Sequence, residues 1–290
     1  MFSVAKRYFL MSKYTKPAAF RQLLKKGTVV MPGAFNAAVA LLIEKIGFEA
    51  VYISGAGLAN GMAGFPDIGL LTMTEVVQQA GYIASAVNIP AIADADTGYG
   101  ELPNIERTVK TFEKAGVAGI HIEDQEFPKK CGHVSGKMVT PEEEMEEKIR
   151  AACDARDDSD FLIIARTDSR AVSGIEDAIE RAKRYKDAGA DVIFPEALES
   201  RREFEVFAKE VKATLMANMT DFGKTPYISV KEFEEMGYSI VIFPMTPFRV
   251  AMKAIEEALI ELKVTGTQKG FIHKMQTRKE LYKLLRYEPE

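Results

Sequence analysis

The 290-residue sequence contains no tryptophan, only two cysteines and only three histidines. Two cysteines are too few for a disulfide framework, which favours a reducing compartment such as the cytoplasm. No cysteine pair or histidine cluster stands at the spacing of zinc ligands, so a zinc site is not expected. These scarcities exclude a disulfide-rich scaffold and a zinc protein.

Long apolar runs and an excess of one charge are also lacking. No run approaches the ~20 apolar residues that cross a bilayer. The 38 basic and 42 acidic residues leave a formal charge of −4, and no basic run is long enough to attract nucleic acid or an anionic membrane. Hydrophobic residues make up 47% of the chain, which is enough for a large core. We therefore expect a globular protein whose partners are neither nucleic acids nor membranes.

Residues 1–16 are basic and contain no acidic residue. A transit peptide is one interpretation of such a segment. The segment is short, has no signal-type apolar core and carries a second methionine, Met11. An N-terminal arm, either flexible or helical and in contact with another subunit, is the favoured interpretation.

Eight short apolar runs bounded by turn residues follow one another along the chain. Each is too uniformly apolar for a sheet with one wet face, so we expect parallel strands that are buried on both sides. The predicted strands are "TVVMPG" (28–33), "EAVYISG" (49–55), "PAIADAD" (90–96), "VAGIHIED" (117–124), "FLIIARTD" (161–168), "ADVIFPEA" (190–197), "ATLMANMT" (213–220) and "YSIVIFPM" (238–245).

Amphipathic helical patterns separate most of these strands, and four of them end in a glycine suited to a left-handed helix cap, namely Gly47, Gly116, Gly189 and Gly237. An unbroken series of eight strand–helix units favours an α/β fold of the (β/α)8, or TIM-barrel, type. A doubly wound open sheet is the rival. We assign residues 17–250 to the barrel and 251–290 to a helical tail available for subunit contacts.

Polar residues stand where the predicted strands end, the edge at which barrel enzymes carry their chemistry. Any one of them could be a helix cap. Their convergence on one rim predicts an active site. Most members of this strand-end set are polar, and the full set is Ser54, Gly55, Ala56, Gly57, Asp94, Asp96, Glu123, Asp124, Arg166, Asp168, Glu196, Asn218, Thr220 and Arg249.

The stretch "DADTGYG" carries two carboxylates, Asp94 and Asp96, which would point the same way on an extended segment. Together with Glu123 and Asp67 they offer an all-oxygen anionic set. A hard divalent ion such as Mg²⁺ prefers such a set and completes its octahedron with waters. Turn and cap acids are the structural alternative.

Arg166 and Arg249 would balance this negative charge, because guanidinium groups hold carboxylates or phosphates through paired hydrogen bonds. Asn218 and Thr220 add neutral donors, as does the backbone of "SGAG" (54–57). The pattern predicts a small polyanionic substrate. Surface salt bridges are the alternative role for the two arginines.

The segment 125–137 follows the fourth strand and would lie over the barrel rim. Gly132 and Gly136 give it conformational freedom, which indicates a mobile lid.

Cys131 lies in this lid among three cationic side chains, Lys129, Lys130 and His133. Such neighbours would lower the pKa of the thiol towards neutrality and favour the thiolate. We therefore predict an acid–base role for Cys131. Cys153 is expected to be a structural residue within a helix.

The motifs "DADTGYG", "HIEDQ", "KKCGH", "ARTD", "FPEA" and "ANMTDFG" resemble the isocitrate lyase/phosphoenolpyruvate mutase superfamily. The resemblance covers the chain from about Lys16 to Arg249. It implies a (β/α)8 barrel, dependence on Mg²⁺, and a homotetramer in which the eighth barrel helix is exchanged between paired subunits.

The resemblance also implies residue roles. Asp94 would ligate Mg²⁺ directly, while the residues that hold its waters would be Asp67, Asp96 and Glu123. A loop of Ser54, Gly55 and Ala56 would bind the 2-oxo acid carboxylate, with Tyr52 near the reacting hydroxyl. The remaining substrate-binding residues would be Arg166, Glu196, Asn218, Thr220 and Arg249. The catalytic thiol would be Cys131, and around it would lie Lys129, Gly132 and His133.

Within the superfamily the motifs are most similar to those of enzymes that cleave (2R,3S)-2-methylisocitrate, a tricarboxylate, to pyruvate and succinate in the methylcitrate cycle of propionate catabolism. Cys131 would protonate the succinate-side carbon. Either Tyr52 or a metal-bound species would remove the hydroxyl proton.

Several other activities of the superfamily are alternatives. Isocitrate differs from the methylated substrate by one methyl group, worth only ~1–3 kcal/mol in an apolar pocket. Isocitrate lyases are usually longer and have bulky residues, including a tryptophan, at the position where Phe194, Ile242 and Pro244 stand here. 2,3-Dimethylmalate lyase is a further alternative. Phosphoenolpyruvate mutases and oxaloacetate decarboxylases generally lack the lid cysteine.

Overall fold

The protein, as a computed structural model, is described from residue 14 to residue 288, and all eight predicted strands are present. The N-terminal arm predicted for residues 1–16 lies almost wholly outside the described residues. The strands are β1 (Val29–Ala34), β2 (Val51–Ile53), β3 (Ala91–Asp94), β4 (Gly119–Glu123), β5 (Leu162–Thr167), β6 (Val192–Pro195), β7 (Met216–Asn218) and β8 (Ile240–Phe243).

The strands form one parallel sheet in the order β6-β5-β4-β3-β2-β1-β8-β7. β1 pairs with both β2 and β8, as the first strand of a barrel must. The edge strands β6 and β7 meet through a parallel bridge between Ile193 and Leu215. This bridge brings the ends of the sheet together, so the predicted (β/α)8 barrel is confirmed and the doubly wound open sheet is excluded.

Twelve α-helices surround and extend the barrel within residues 14–288. They are α1 (Lys16–Leu24), α2 (Ala37–Ile46), α3 (Gly55–Leu58), α4 (Met73–Ala86), α5 (Leu102–Lys114), α6 (Glu142–Ala155), α7 (Arg170–Ser173), α8 (Ile175–Asp187), α9 (Arg201–Val211), α10 (Val230–Glu235), α11 (Thr246–Thr265) and α12 (Arg278–Leu284). The four predicted cap glycines all have a positive φ, between 83° and 112°. No helix among the described residues is both long and apolar enough to cross a membrane.

The strand β5 shows why the apolar runs are continuous. Leu162 and Ile164 pack inside the barrel, whereas Ile163 and Ala165 pack between the sheet and the helices. Successive side chains on a strand point to opposite faces, so a strand buried on both faces is apolar until its C-terminal end, where Arg166 and Thr167 stand in β5.

Helix α11 differs from the barrel helices because none of its side chains is buried. It begins directly after β8 and continues past residue 250, so the predicted boundary between barrel and tail falls inside this helix. Its apolar side chains are exposed, namely Val250, Met252, Ile255, Leu259, Ile260, Leu262 and Val264.

Candidate active site

The predicted lid lies against the barrel in a closed position. A Cβ atom added at Gly132 would come within 2.6 Å of Arg166 Nη2 and within 2.5 Å of Glu196 Cγ, so any larger residue here would displace these two side chains. The base of the lid is held by an antiparallel bridge between Gln125 and Val139. The Gln125 side chain also donates to the Lys130 carbonyl and accepts from the Lys130 N–H. The lid therefore places Cys131, which is half-buried, next to the polar rim of the barrel.

The predicted metal carboxylates surround an ammonium group from the lid. Lys129 is buried, and its Nζ contacts Asp67 Oδ1 and lies 2.7 Å from Asp96 Oδ1. Although burial alone lowers the pKa of Lys129, the carboxylates of Asp96, Glu123 and Asp67 raise it well above its ordinary value. Lys129 is therefore a permanent cation within an anionic cluster.

Asp94 and Asp96 lie in contact with each other, but the backbone that brings them together is not the one predicted from the sequence. Strand β3 ends at Asp94, and Asp96 has a left-handed backbone with φ of 47°. The prediction that both lie on one extended segment is therefore wrong. The Asp96 N–H donates to Asp94 Oδ1 at 2.9 Å, while Gly98 and Gly100 have the positive φ expected of a tight turn.

Glu123 ends β4 with its side chain buried, and neither carboxylate oxygen has a hydrogen-bond partner. Its nearest ionic partner is Arg166, with Oε2 and Nη1 3.2 Å apart. Burial raises the pKa of Glu123 well above its ordinary value, against the opposing effect of Arg166 and Lys129. A buried carboxylate without donors is the kind of group that a cation or its waters would satisfy.

A hard cation fits this cluster through oxygen ligands and water. Within residues 14–288, no three Asp, Glu, His or Cys side chains lie close enough together to ligate one ion directly. Mg²⁺ usually keeps several waters and uses only one or two protein carboxylates. The unpartnered oxygens of Glu123, together with Asp94 and Asp96, are the residues that could hold a cation in this way.

His121 is a buried site residue that was not predicted from the sequence. Its Nε2 lies 2.7 Å from the Tyr52 hydroxyl and 3.6 Å from Asp94 Oδ1, so it connects the two. The "HIEDQ" motif and the scarcity of histidine were the available signals.

Burial raises the pKa of Tyr52 well above 10.0, and the negative charge of Asp94 is the next largest cause, so the phenol keeps its proton. Tyr52 is thus a poor candidate for the base.

The predicted lowering of the Cys131 pKa is wrong. Burial raises the pKa of this thiol, and Asp67 and Glu196 act in the same direction against the His133 backbone N–H and Arg166. The lid cations are engaged elsewhere, because Lys129 contacts carboxylates and Lys130 donates to the Gly136 carbonyl at 2.6 Å.

Glu196 joins the lid to the opposite side of the rim. His133 Nε2 lies 2.8 Å from Glu196 Oε1, and Asn218 Nδ2 donates to both carboxylate oxygens at 3.2 Å. Burial raises the pKa of Glu196, but Arg166 and His133 outweigh it and hold the pKa well below its usual range. Glu196 therefore stays ionised and orients the His133 and Asn218 side chains.

The predicted carboxylate-binding loop forms the first turn of α3. Ser54 caps this helix by accepting a hydrogen bond from the Gly57 N–H at 3.1 Å. The Gly55 N–H donates to Asp94 Oδ2 at 3.3 Å, and a Cβ at Gly55 would collide with that carboxylate. Gly55 thus contacts Asp94, the predicted metal ligand, and the next residue, Ala56, is half-buried.

Thr220 and Arg249 lie farther out on the rim. Thr220 is half-buried and packs near Gly223, whose neighbour Lys224 donates its N–H to His133 Nδ1 at 3.0 Å. Arg249 is exposed, and its guanidinium lies 5.5 Å from the centre of the Phe222 ring.

A second layer of charged residues holds Arg166 in place and had not been assigned roles from the sequence. Arg166 donates to Asp168 through Nε at 2.8 Å and Nη2 at 3.1 Å. The Lys137 ammonium lies 2.6 Å from the same carboxylate. Asp124 accepts from the Asp168 N–H at 2.8 Å and from the Tyr185 hydroxyl at 2.9 Å. Strand-end position alone cannot distinguish these supporting acids from ligand-binding ones.

A cavity of about 840 Å³ lies beside the lid, between the N-terminal halves of α4, α5 and α6. It contacts the carboxylate cluster only through Asp96 and Lys129, and Phe127 of the lid forms part of its wall. The catalytic rim itself is covered, since Arg166, Glu196 and Asp94 are all buried.

Comparison with known proteins relates the whole chain to a family of enzymes. The phosphoenolpyruvate phosphomutase family matches residues 20–263. The chain is 54% identical to 2-methylisocitrate lyase of Aeropyrum pernix, over 92% of this chain and 86% of that protein. A solved structure of 2,3-dimethylmalate lyase has a TM-score of 0.89 and 36% identity, covering 94% of this chain and 92% of that one. A phosphonopyruvate hydrolase solved with oxalate and Mg²⁺ has a TM-score of 0.85 and 31% identity, covering 93% and 95%.

Proposed function

Because the chain belongs to the phosphoenolpyruvate phosphomutase family and is a carbon–carbon lyase, we propose that it cleaves (2R,3S)-2-methylisocitrate to pyruvate and succinate. The identity of 54% to a 2-methylisocitrate lyase supports this substrate. The reaction would place the protein in the methylcitrate cycle of propionate catabolism.

The observation that carries the proposal is the half-buried thiol of Cys131, held on a closed lid beside the polar rim. Gly132 packs against Arg166 and Glu196, which brings the adjacent Cys131 to the rim where a polyanion would bind. Because burial raises the pKa of Cys131, the thiol carries its proton at neutral pH. It is therefore suited to act as an acid that delivers a proton to carbon.

The proposed cleavage needs such an acid. The hydroxyl of the substrate would pass its proton to a carboxylate of the Asp67, Asp94 and Asp96 cluster, and the bond between the hydroxyl-bearing carbon and its neighbour breaks. The electron pair passes to the succinate half as an enediolate, while the other half becomes the carbonyl of pyruvate. Cys131 then donates its proton to the succinate-side carbon, and the closed lid keeps bulk water away until it does.

We also propose Mg²⁺ as the cofactor, held through Asp94, with Asp67, Asp96 and Glu123 around its waters. The unpartnered carboxylate of Glu123 supports this assignment. The hydrolase relative solved with oxalate and Mg²⁺ supports it too. Bound there, Mg²⁺ would supply positive charge that stabilises a developing oxyanion.

Other residues would bind and orient the substrate. Arg166 offers a guanidinium that is fixed by Asp168 and so presents its remaining donors in one direction. The Tyr52 phenol, which keeps its proton, would donate to the oxygen at the reacting carbon. Asn218 Nδ2 is engaged by Glu196, so Asn218 would act on the substrate by holding that carboxylate in place.

The proposed partner of the protein is a further copy of itself, in a homotetramer. Helix α11 exposes seven large apolar side chains along its length and buries none. A second subunit would cover this surface, either by exchange of α11 or by packing on it. The two free cysteines agree with a proposed cytoplasmic location.

A product assay tests the proposed reaction. The protein would be given Mg²⁺ and, in parallel, 2-methylisocitrate, isocitrate and 2,3-dimethylmalate, and pyruvate and glyoxylate would be measured. We expect kcat/KM for pyruvate from 2-methylisocitrate to exceed that for glyoxylate from isocitrate at least a hundredfold. Comparable values would make the protein a dual lyase, and faster turnover of 2,3-dimethylmalate would replace the proposed substrate.

A further inference from the structure

The lid carries its own cation into the proposed metal site. Lys129 is buried, and its ammonium contacts Asp67 and lies 2.7 Å from Asp96 Oδ1. Asp67 precedes α4 and Asp96 follows β3, so one lid side chain joins two separate rim loops. The contact lies within the set of carboxylates proposed to surround Mg²⁺.

The other nearby positive groups are less able to neutralise this cluster. Arg166 is bound through two hydrogen bonds to Asp168, although Nη1 lies 3.2 Å from Glu123. His121 Nε2 lies 2.7 Å from the Tyr52 hydroxyl and 3.6 Å from Asp94 Oδ1, so this ring is placed beside Tyr52 and Asp94. Lys129 is thus the cation placed between Asp67 and Asp96.

We propose that Lys129 is a tethered counter-cation of the metal site, which occupies the Asp67 and Asp96 carboxylates in the metal-free protein and releases at least one of them when a divalent cation binds. The inference rests on the proposed Mg²⁺ site. Because the ammonium and the metal ion compete for the same carboxylate oxygens, Lys129 weakens metal binding. Metal binding in turn weakens the attachment of the lid to the barrel through Lys129.

This arrangement links the metal to the catalytic thiol. Lys129 and Cys131 are two residues apart on the lid. A metal ion that displaces the ammonium from Asp67 therefore removes one of the contacts that hold the segment carrying the thiol. The lid would close again only when a bound polyanion supplies new contacts for the released lysine.

Metal affinity measured without substrate tests the proposal independently of catalysis. Mn²⁺ would replace Mg²⁺ as a probe visible by electron paramagnetic resonance, and its Kd would be measured for the wild type, Lys129→Met and Lys130→Met. Lys130 is the matched control, because it is the neighbouring lid lysine and its ammonium binds the Gly136 carbonyl instead. We expect Lys129→Met to bind Mn²⁺ at least about fivefold more tightly, or ~1 kcal/mol, and Lys130→Met to stay within about twofold of wild type.

An unchanged or weaker affinity in Lys129→Met would overturn the inference, since a lysine that only positions the lid would not compete with the metal. Lys129→Arg keeps the charge and is expected to bind Mn²⁺ more weakly than Lys129→Met. Should Lys129→Met not fold, Lys129→Gln and Lys129→Arg give the same comparison, with the tighter binding expected in Lys129→Gln.

A second readout follows the lid. Hydrogen exchange at residues 125–137 is expected to quicken when Mn²⁺ is added to the substrate-free wild type, and to be fast in Lys129→Met with or without the metal. Exchange that slows on metal addition would contradict the proposal.

If the wild type and Lys129→Met both fail to bind Mn²⁺, the inference and the proposed metal site fail together. If the wild type binds Mn²⁺ and cleaves 2-methylisocitrate while Lys129→Met binds Mn²⁺ equally well, only the inference fails.

Discussion

Lys137 and Asp168 join the lid to the barrel, with the lysine ammonium 2.6 Å from Oδ1 of the carboxylate and both side chains buried. The same ammonium also donates to the carbonyl of Gly132, the glycine that packs on Arg166. Because Arg166 holds Asp168 from the other side, one carboxylate fixes both the lid and the proposed substrate-binding arginine.

Lys137→Met should destabilise the protein more than a comparable change elsewhere. Removing one partner of a buried ion pair leaves an uncompensated charge, at a cost of about 3–5 kcal/mol. Lys148→Met is the control, because Lys148 is also buried but pairs with Glu144, whose side chain is 40% exposed. That pair should contribute less than about 1 kcal/mol. Urea unfolding checks this, and equal losses in the two variants would contradict it.

The Glu196 carboxylate predicts a specific dependence of stability on pH. Its pKa is depressed in the folded protein, so it stabilises the fold above its ordinary value of 4.5, and the contribution disappears as pH falls through the folded-state pKa. The stability difference between wild type and Glu196→Gln should be largest at neutral pH and shrink below about pH 4.5. Thermal unfolding from pH 3 to 7 measures it, with the exposed Glu257→Gln as control. A difference that grows on acidification would refute the assignment.

The raised pKa of Cys131 predicts slow alkylation near neutrality. Only the thiolate reacts with iodoacetamide. Burial raises the pKa of Cys131 above its ordinary value of 9.0, so the thiol stays mostly protonated at pH 9. In a Cys153→Ser background, which leaves Cys131 as the single thiol, the rate should keep rising above pH 9. A plateau reached below pH 8 would show a low-pKa thiol, as the lid cations had suggested from the sequence.

The sequence predicted the barrel well because its evidence is local and repeated. Each strand is apolar throughout since both faces of a barrel strand are buried, and residues such as Gly47 and Gly189 end their helices with positive φ as expected. The predicted boundary at residue 250 falls within α11, and nothing in the sequence pattern of this helix indicates that it buries no side chain.

The details of the site depended on where side chains point, which spacing does not show. Lys129 was expected to act on Cys131, yet its ammonium turns towards Asp67 and Asp96. Burial, which raises the thiol pKa, was equally invisible in the sequence. His121 was missed because a strand residue before the polar end is ordinarily a core residue.

The exposed apolar face of α11 predicts an oligomer that depends on this helix. Leu259→Asp should reduce the mass measured by light scattering from that of a tetramer, because a charge on a buried interface is costly. Lys253→Glu is the control, since Lys253 forms an exposed pair with Glu256 on the same helix. A monomeric wild type, or an unchanged mass in Leu259→Asp, would contradict the proposed assembly.

The most direct test of the central claim is the rate at which Cys131→Ser releases pyruvate from 2-methylisocitrate, measured beside Cys153→Ser. Loss of a positioned general acid costs typically 10²–10⁴-fold in rate. We predict a fall in kcat of at least about a hundredfold for Cys131→Ser, with substrate still bound, and a normal kcat for Cys153→Ser. A Cys131→Ser enzyme that retains kcat within a few-fold of wild type would show that the lid thiol does not deliver the proton.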